Sequence, residues 1–174
     1  TISYPGNIGS AIPRITYGIT INMAYKGFDF VLFGSGTAGN QIYQALFASD
    51  RASGNRIYEE WYTDRWSTSN KTAVHPAANA DISRYRLSSA MVKDGSFFKV
   101  KQIQLGYSLP KQLLKKVSVT GVRVYASLDD FFTFTSYTGF DPESSSASTG
   151  AGQGVDVATY PISKKMVFGV NINF

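Results

Sequence analysis

The amino-acid sequence predicts an all-β fold: an antiparallel segment of a transmembrane β-barrel with long extracellular loops. Long segments alternate apolar and polar residues with a period of two, the pattern of strands whose two faces meet different surroundings. Only 17% of the residues are charged and 14% are aromatic, a composition typical of membrane strands. The connections between the segments are alternately short and long, as the turns and outer loops of such barrels are.

The composition also narrows the functional class. The formal charge is +5, but the basic residues are scattered, so no nucleic-acid surface is expected. The chain contains no Cys, which excludes disulfides and thiolate metal sites. No run of about 18 apolar residues predicts a transmembrane helix. The first residues lack the pattern of a signal peptide, so we expect either a mature chain or part of a longer protein.

Five segments carry the alternation, and they are longer than the usual strand of about 5–6 residues. The Lys26-Gly27 pair predicts a tight antiparallel turn between the first two. Because five strands cannot close a barrel and open edges are not tolerated in lipid, we expect the C-terminal part of a larger barrel. The predicted strands cover 15–25, 28–36, 97–109, 121–134 and 165–174, and the predicted extracellular loops cover 37–95 and 137–160.

The alternation assigns one face of these strands to lipid. At the end with short connections, predicted to be periplasmic, this face carries aromatic residues that suit an interfacial girdle: Tyr25, Phe28, Tyr107 and Phe174. The predicted lipid-facing residues are Tyr17, Ile19, Ile21, Phe30, Leu32, Ile103, Leu105, Val124, Phe168, Val170 and Ile172.

Four lysines lie near the opposite ends of their strands. Lys99 and Lys101 interrupt the apolar alternation there, and Lys164 and Lys165 precede the last apolar segment. Lysine binds phosphate as a point charge. These four residues are therefore candidate contacts for lipopolysaccharide, and ordinary solvated lysines are the alternative.

Aromatic and polar residues cluster in the first long loop: Tyr58, Trp61, Tyr62, Asp64, Arg65 and Trp66. Flat aromatic rings suit sugar rings or apolar peptide side chains, with the charged neighbours as hydrogen-bonding partners. The alternative is that the rings pack the loop on itself or on a lid protein. A helix is a further expectation for the short piece 42–47 of this loop.

No catalytic, metal or cofactor site is expected. His75, the one histidine, lacks partners at the spacing of a metal site or a catalytic triad. Asp129 and Asp130 are adjacent in a predicted strand, where neighbours face opposite sides and form a poor acid–base pair.

An ordered set of short motifs resembles the C-terminal barrel portion of the SusC/RagA-type TonB-dependent outer-membrane transporters. The order and spacing match over nearly the whole chain, although each motif is weak alone. The motifs are PRITYG at 13–18, YKGFD at 25–29, VKDGSFFKVK at 92–101, LGYSLP at 105–110, VRVY at 122–125, FTFT at 132–135, YTGFDP at 137–142 and YP at 160–161.

The resemblance implies part of a large plugged barrel in the outer membrane of a Gram-negative bacterium. It implies import of glycans or peptides, driven by the TonB complex through a missing N-terminal part, with a SusD-like surface lipoprotein as lid. It also implies that the last strand is read during assembly, with Gly169, Ile172 and Phe174 at the spacing of that signal. The alternatives are a passive porin-like channel and a secreted β-sandwich carbohydrate-binding module.

Overall fold

The fold is described from a computed structural model. It describes residues 9–45, 59–73, 75–77, 85, 87–114, 119–146, 152–157 and 159–174. The chain divides into two compact units. One contains Arg14–Ala38, Ser96–Ser136 and Pro161–Phe174, and the other contains Thr1–Pro13, Gly39–Gly95 and Tyr137–Tyr160.

The first unit is a five-stranded antiparallel sheet. The strands, numbered in chain order together with three short strands of the other unit, are β1 (Ile15–Tyr25), β2 (Phe28–Ala38), β5 (Phe97–Ser108), β6 (Gly121–Thr135) and β8 (Lys165–Asn173). They lie in the sheet in this same order. The predicted all-β antiparallel class is confirmed.

Short connections join the strands at one end of this sheet. Lys26 and Gly27 both have positive φ, 47° and 88°, which gives the primed turn that matches the twist of a hairpin. The connection between β5 and β6 contains a short helix, α2 (Lys111–Leu114). Among the described residues, no helix has the length and apolar character needed to cross a membrane.

The register places all eleven predicted lipid-facing residues on one face of the sheet. Directly opposed residues in antiparallel strands share a face. Ile21 lies opposite Leu32 and Leu32 opposite Ile103, and Val124 lies opposite Val170. Most of this apolar face is open to solvent in the chain taken alone. An uncovered apolar area of this extent requires a partner, a membrane or a further part of the protein.

A bulge in β5 corrects the sequence-based position of Lys99. The register shifts between Val100 and Gln102, so Lys101 is an extra residue and the alternation of β5 reverses there. Val100 joins the apolar face, and Lys99 moves to the polar face opposite Ser35 and Thr133. Its side chain is only 2% exposed. The expectation that Lys99 interrupts the apolar face is therefore wrong.

The second unit contains a small three-stranded sheet in segments that the sequence indicated only as loops. The elements of this unit are β3 (Gln41–Gln44), α1 (Glu59–Thr63), a 3-10 turn (Ser89–Met91), β4 (Val92–Asp94), α3 (Pro142–Ser146) and β7 (Val155–Asp156). The strands lie in the order β4-β3-β7, and β3 and β7 are parallel. The expected helix at 42–47 is wrong over its first residues, because β3 covers them.

Candidate functional site

The predicted aromatic cluster begins at helix α1 and continues into a short turn. Within α1, the Thr63 hydroxyl donates to the Glu59 carbonyl at 2.9 Å. The chain then reverses between Ser67 and Asn70, whose backbone groups bond to each other at 3.2 and 3.1 Å. Tyr58 lies outside the described residues, as does the side chain of Trp61 within α1.

Backbone bonds hold the two sides of this turn together. The Trp66 amide donates to the His75 carbonyl at 2.8 Å, and the His75 amide donates to the Asp64 carbonyl at 3.3 Å. The Asn70 side-chain amide donates to Asp64 Oδ1 at 3.3 Å. Asp64 thus holds the turn in shape, in addition to its predicted role as a binding partner.

His75 anchors the turn. Its imidazole is 6% exposed, and its Nδ1 lies 2.9 Å from the Tyr85 hydroxyl. The two rings meet edge to face at 6.1 Å between centroids. This environment is that of a buried, hydrogen-bonded structural histidine. Among the described residues, no group of three or more His, Asp or Glu side chains is placed to hold a metal ion.

The anchored turn presents an exposed surface of two aromatic rings and a guanidinium, which we call the aromatic turn: Tyr62, Arg65 and Trp66. Tyr62 is 64% exposed and Trp66 is 45% exposed. The Arg65 guanidinium lies 5.8 Å from the centre of the Tyr62 ring, within cation–π distance. The aromatic turn therefore offers flat apolar faces beside a rigid cationic donor, which suits a sugar ring or a peptide side chain.

A buried polar network lies in the same unit, and the sequence analysis missed it. The Tyr137 hydroxyl donates to Asp156 Oδ2 at 2.6 Å, and Asp156 is 1% exposed. The Gln44 side-chain amide donates to the Thr138 hydroxyl at 3.1 Å. The network joins residues far apart in the chain, so spacing along the sequence held no signal for it. A satisfied buried network of this kind fixes one arrangement of the segments that it joins.

Three of the four predicted girdle residues lie in one row at one end of the sheet's apolar face. Tyr25 is opposite Phe28, and Phe28 is opposite Tyr107. The Phe28 and Tyr107 rings are 4.5 Å apart. Phe174 follows β8 and is 89% exposed, and the carbonyl of its neighbour Asn173 accepts a 2.7 Å bond from the Thr120 amide.

A second aromatic row, which the sequence analysis did not identify, lies at the other end of the same face. Tyr17, Phe98 and Phe134 share one row of the register, with Gly36 between the first two. Tyr17 and Phe98 stack at 6.0 Å, and Phe98 and Phe134 stack at 6.4 Å. Phe98 reaches this face because of the β5 bulge, so simple alternation hides it.

The three remaining lipopolysaccharide candidates have different surroundings. Lys101 forms an ion pair with Asp130 at 3.3 Å. Lys165 lies opposite Asp129 on the polar face. Lys164 is exposed, and its ammonium lies 5.5 Å from the centre of the Phe131 ring. Lys164 therefore lies against an aromatic ring, whereas Lys101 lies against a carboxylate.

Comparisons with known proteins point to one group. TonB-dependent receptor P3 of Formosa agariphila is 30% identical over 172 residues, which cover 96% of this chain and 17% of the relative. TonB-dependent receptor SusC of Bacteroides thetaiotaomicron is 28% identical over 162 residues, 92% of this chain and 15% of the relative. No protein-family model matches the sequence.

Solved structures agree with the sequence comparison. The RagAB peptide importer in its open-open state contains a chain that matches 95% of this chain at a TM-score of 0.76 and 25% identity, over 18% of its own length. Its closed-closed state matches at a TM-score of 0.74. In both sequence and fold the chain is therefore similar to part of the TonB-dependent receptors, SusC among them, and to a chain of the RagAB importer, and it spans about one sixth of their length.

Proposed function

We propose that the chain forms part of the barrel wall of an outer-membrane importer of glycans or peptides. In this role the apolar face of the sheet contacts lipid and the polar face lines the barrel interior. The two long connections, 37–95 and 137–160, lie outside the cell. Import is driven by the TonB complex through other parts of the protein, and a SusD-like surface lipoprotein covers the entrance.

The observation that carries the membrane part of this proposal is the pair of aromatic rows on one apolar face. Tyr17 and Tyr25 mark the two rows on β1 and are eight residues apart. Eight residues span about 27 Å along a strand. At a tilt of about 40°, this becomes roughly 20 Å along the membrane normal, close to the apolar band of about 25 Å between the girdles of outer-membrane barrels.

The names of the relatives support the transport part. They are TonB-dependent receptors, SusC among them, and the matched structures are described as a peptide importer. A soluble sheet covered by a missing partner would also be apolar on one face. That arrangement gives no reason for aromatic rows at both margins with mostly aliphatic residues between them.

The aromatic turn is our candidate for contact with substrate or with the lipoprotein lid. Its rings are exposed although the backbone below them is fixed by several hydrogen bonds. A rigid aromatic surface loses little conformational entropy when it binds a partner.

The test is energised uptake by cells that carry the full-length protein. Fluorescent oligosaccharide and oligopeptide mixtures are offered separately, with and without a protonophore. We expect uptake of one mixture that disappears when the proton gradient collapses. Uptake that persists without the gradient would contradict the proposal and favour a passive channel.

The aromatic turn is tested in the same cells with the double variant Tyr62→Ala/Trp66→Ala. The matched control is Phe140→Ala, which removes another exposed aromatic ring of the same unit. We expect uptake to fall severalfold in the double variant and to be nearly unchanged in the control. Copurification of the surface lipoprotein distinguishes the two roles, because loss of lid contact lowers its yield and loss of substrate contact does not. Normal uptake by the double variant would remove the aromatic turn from the proposal.

A further inference from the structure

An ion pair on the polar face of the sheet spans three strands. Arg123 of β6 donates from Nε to Asp29 Oδ1 of β2 at 2.9 Å, and its Nη2 bonds to Asp29 Oδ2. Strand β5 runs between them. A bidentate guanidinium–carboxylate pair is among the strongest and most directional polar contacts in proteins. Here it joins strands that have no backbone bonds to each other.

The pair forms because β5 has no side chain at the crossing point. Gly106 is opposite Asp29 on one side and Tyr125 on the other. A Cβ atom on Gly106 would overlap the Arg123 guanidinium and both Asp29 carboxylate oxygens. By contrast, a Cβ on Gly18 of β1 would meet the Gly34 carbonyl oxygen at 3.6 Å and a Phe33 ring carbon at 3.9 Å, both ordinary contact distances.

A similar arrangement lies two strands further along the same row, on the other side of β6. Gly169 of β8 is opposite Tyr125, and a Cβ on Gly169 would overlap the Tyr125 ring. The Arg123 guanidinium lies 5.0 Å from the centre of that ring. Two large side chains of β6 therefore lie over glycines in the two strands that flank it.

Hydrophobic alternation cannot fully determine the register of such a sheet. A slip of one residue moves every apolar side chain to the wrong face and is excluded by burial. A slip of two residues keeps every side chain on its face, so the apolar pattern alone does little to disfavour it. When β5 slips by two residues, Gln104 or Ser108 takes the place of Gly106 between Asp29 and Tyr125.

We propose that Asp29, Gly106 and Arg123 form a register clasp that excludes two-residue slips of β5. With Gln104 or Ser108 in place of Gly106, a side chain occupies the space through which Arg123 reaches Asp29. If β5 and β6 slip together past β2, the two charges move about 7 Å out of line. In either case the bidentate contact is lost, so only the observed register keeps it.

Engineered cysteine pairs measure the register directly, and this chain has no cysteine of its own. The pair Val31→Cys/Gln104→Cys reports the observed register of β5 against β2, because these residues are directly opposed. The pair Val31→Cys/Gln102→Cys reports the two-residue slip. In the observed register the latter positions are diagonal neighbours at about 7–8 Å, too far apart for an unstrained disulfide.

Each reporter pair is placed in the full-length protein, with any cysteines outside this chain replaced, and combined with Arg123→Met, Asp29→Asn or Gly106→Ala. We expect the slipped disulfide to rise severalfold in all three variants. In the control Gly18→Ala, which also adds a methyl group to a polar-face glycine, the slipped disulfide should stay at the level of the protein that carries only the reporter pair. An unchanged slipped fraction in all three variants would overturn the proposal.

The charge-reversed variant Asp29→Arg/Arg123→Asp decides the matter if the single variants yield no folded barrel. It rebuilds the same pair over Gly106 with the charges exchanged. Recovery of folded protein with the native disulfide supports the register clasp. Failure to recover, when each single charge reversal also fails, would show that the pair is not what selects the register.

Discussion

Ile21 and Asn22 are neighbours in β1 whose side chains face opposite sides of the sheet. Ile21 lies in the middle of the apolar face, opposite Leu32. If this face contacts lipid, Ile21→Arg should destabilise the full-length barrel by about 2–4 kcal/mol, the cost of arginine near the bilayer midplane. Asn22→Arg places the same side chain on the polar face and should have a small effect.

The measurement is the midpoint of urea unfolding of the barrel in lipid vesicles. Equal destabilisation by Ile21→Arg and Asn22→Arg would show that the apolar face does not contact lipid. The two positions share a strand and a depth, so a general loss of strand propensity affects both variants alike.

His75 provides a second prediction at this scale. Replacing it by Phe removes the hydrogen bond to Tyr85 while keeping an aromatic ring, so the hydroxyl of Tyr85 loses this partner. We expect the turn at 64–75 to lose about 1–3 kcal/mol of local stability, measured as faster cleavage by a protease in limiting amount. The heat-modifiable migration of the barrel should stay normal. If EDTA treatment of the unmodified protein accelerated cleavage equally, His75 would be a metal ligand instead.

The residues of the sheet show what could be predicted from sequence and what could not. Alternation correctly grouped residues such as Ile19, Leu105 and Val170 on one face, because burial of a face depends only on the period of two. Lys99 was misplaced because one extra residue, Lys101, reverses the period and leaves no local mark in the sequence. The ion pair of Asp29 and Arg123 depends on register across three strands and was equally invisible.

At the scale of whole elements, the long strands can be predicted from the sequence and the short ones cannot. Strand β1 contains eleven residues, enough for alternation to stand out from chance. Strands β3 and β7 contain four and two residues. Their pairing joins positions more than a hundred residues apart, and no local pattern encodes it. The aromatic turn was predicted as a cluster, but its anchoring by His75 required the structure.

The last strand carries a prediction about assembly. Strand β8 ends at Asn173, and the exposed Phe174 follows it. If the end of this strand is read by the insertion machinery, deletion of Phe174 from the full-length protein should lower the amount of folded barrel in the outer membrane. Phe168→Leu changes an aromatic residue within the same strand and should have a much smaller effect.

Heat-modifiable migration of outer-membrane fractions measures the folded amount. Normal assembly after deletion of Phe174 would show that the terminal aromatic residue is not a signal. Gly169 is less suitable for this test, because the ring of Tyr125 lies over it and its substitution also disturbs packing.

The adjacent lysines before and within β8 provide a matched pair for lipopolysaccharide binding. Lys164 lies over Phe131, whereas Lys165 is on the polar face opposite Asp129. If phosphates bind at the rim of the lipid face, Lys164→Gln should reduce the lipopolysaccharide that copurifies with the full-length protein, because a point charge for phosphate is lost. Lys165→Gln should leave the amount unchanged. A reduction in both variants, or in neither, would contradict the site.

At the scale of the whole molecule, the arrangement of connections predicts which parts of the chain lie outside the cell. The turn at Lys26 and Gly27 joins β1 to β2 directly, and the connection of 109–120 joins β5 to β6 at the same end of the sheet. At the opposite end, 39–96 and 136–164 form much longer connections. Outer-membrane barrels have short turns on the periplasmic side and long loops outside. If the chain spans the outer membrane, we expect the aromatic turn to lie outside the cell and Lys26, 109–120 and Phe174 to face the periplasm.

Cysteine labelling in intact cells tests this orientation, with Lys26→Cys and Ser69→Cys placed singly in the full-length protein. Both positions are exposed, so local burial does not bias the comparison. A membrane-impermeant maleimide should label Ser69→Cys in intact cells and label Lys26→Cys only after the outer membrane is permeabilised. Labelling of Lys26→Cys but not Ser69→Cys in intact cells would invert the barrel, and it would also remove the aromatic turn from any contact with substrate or lid at the cell surface.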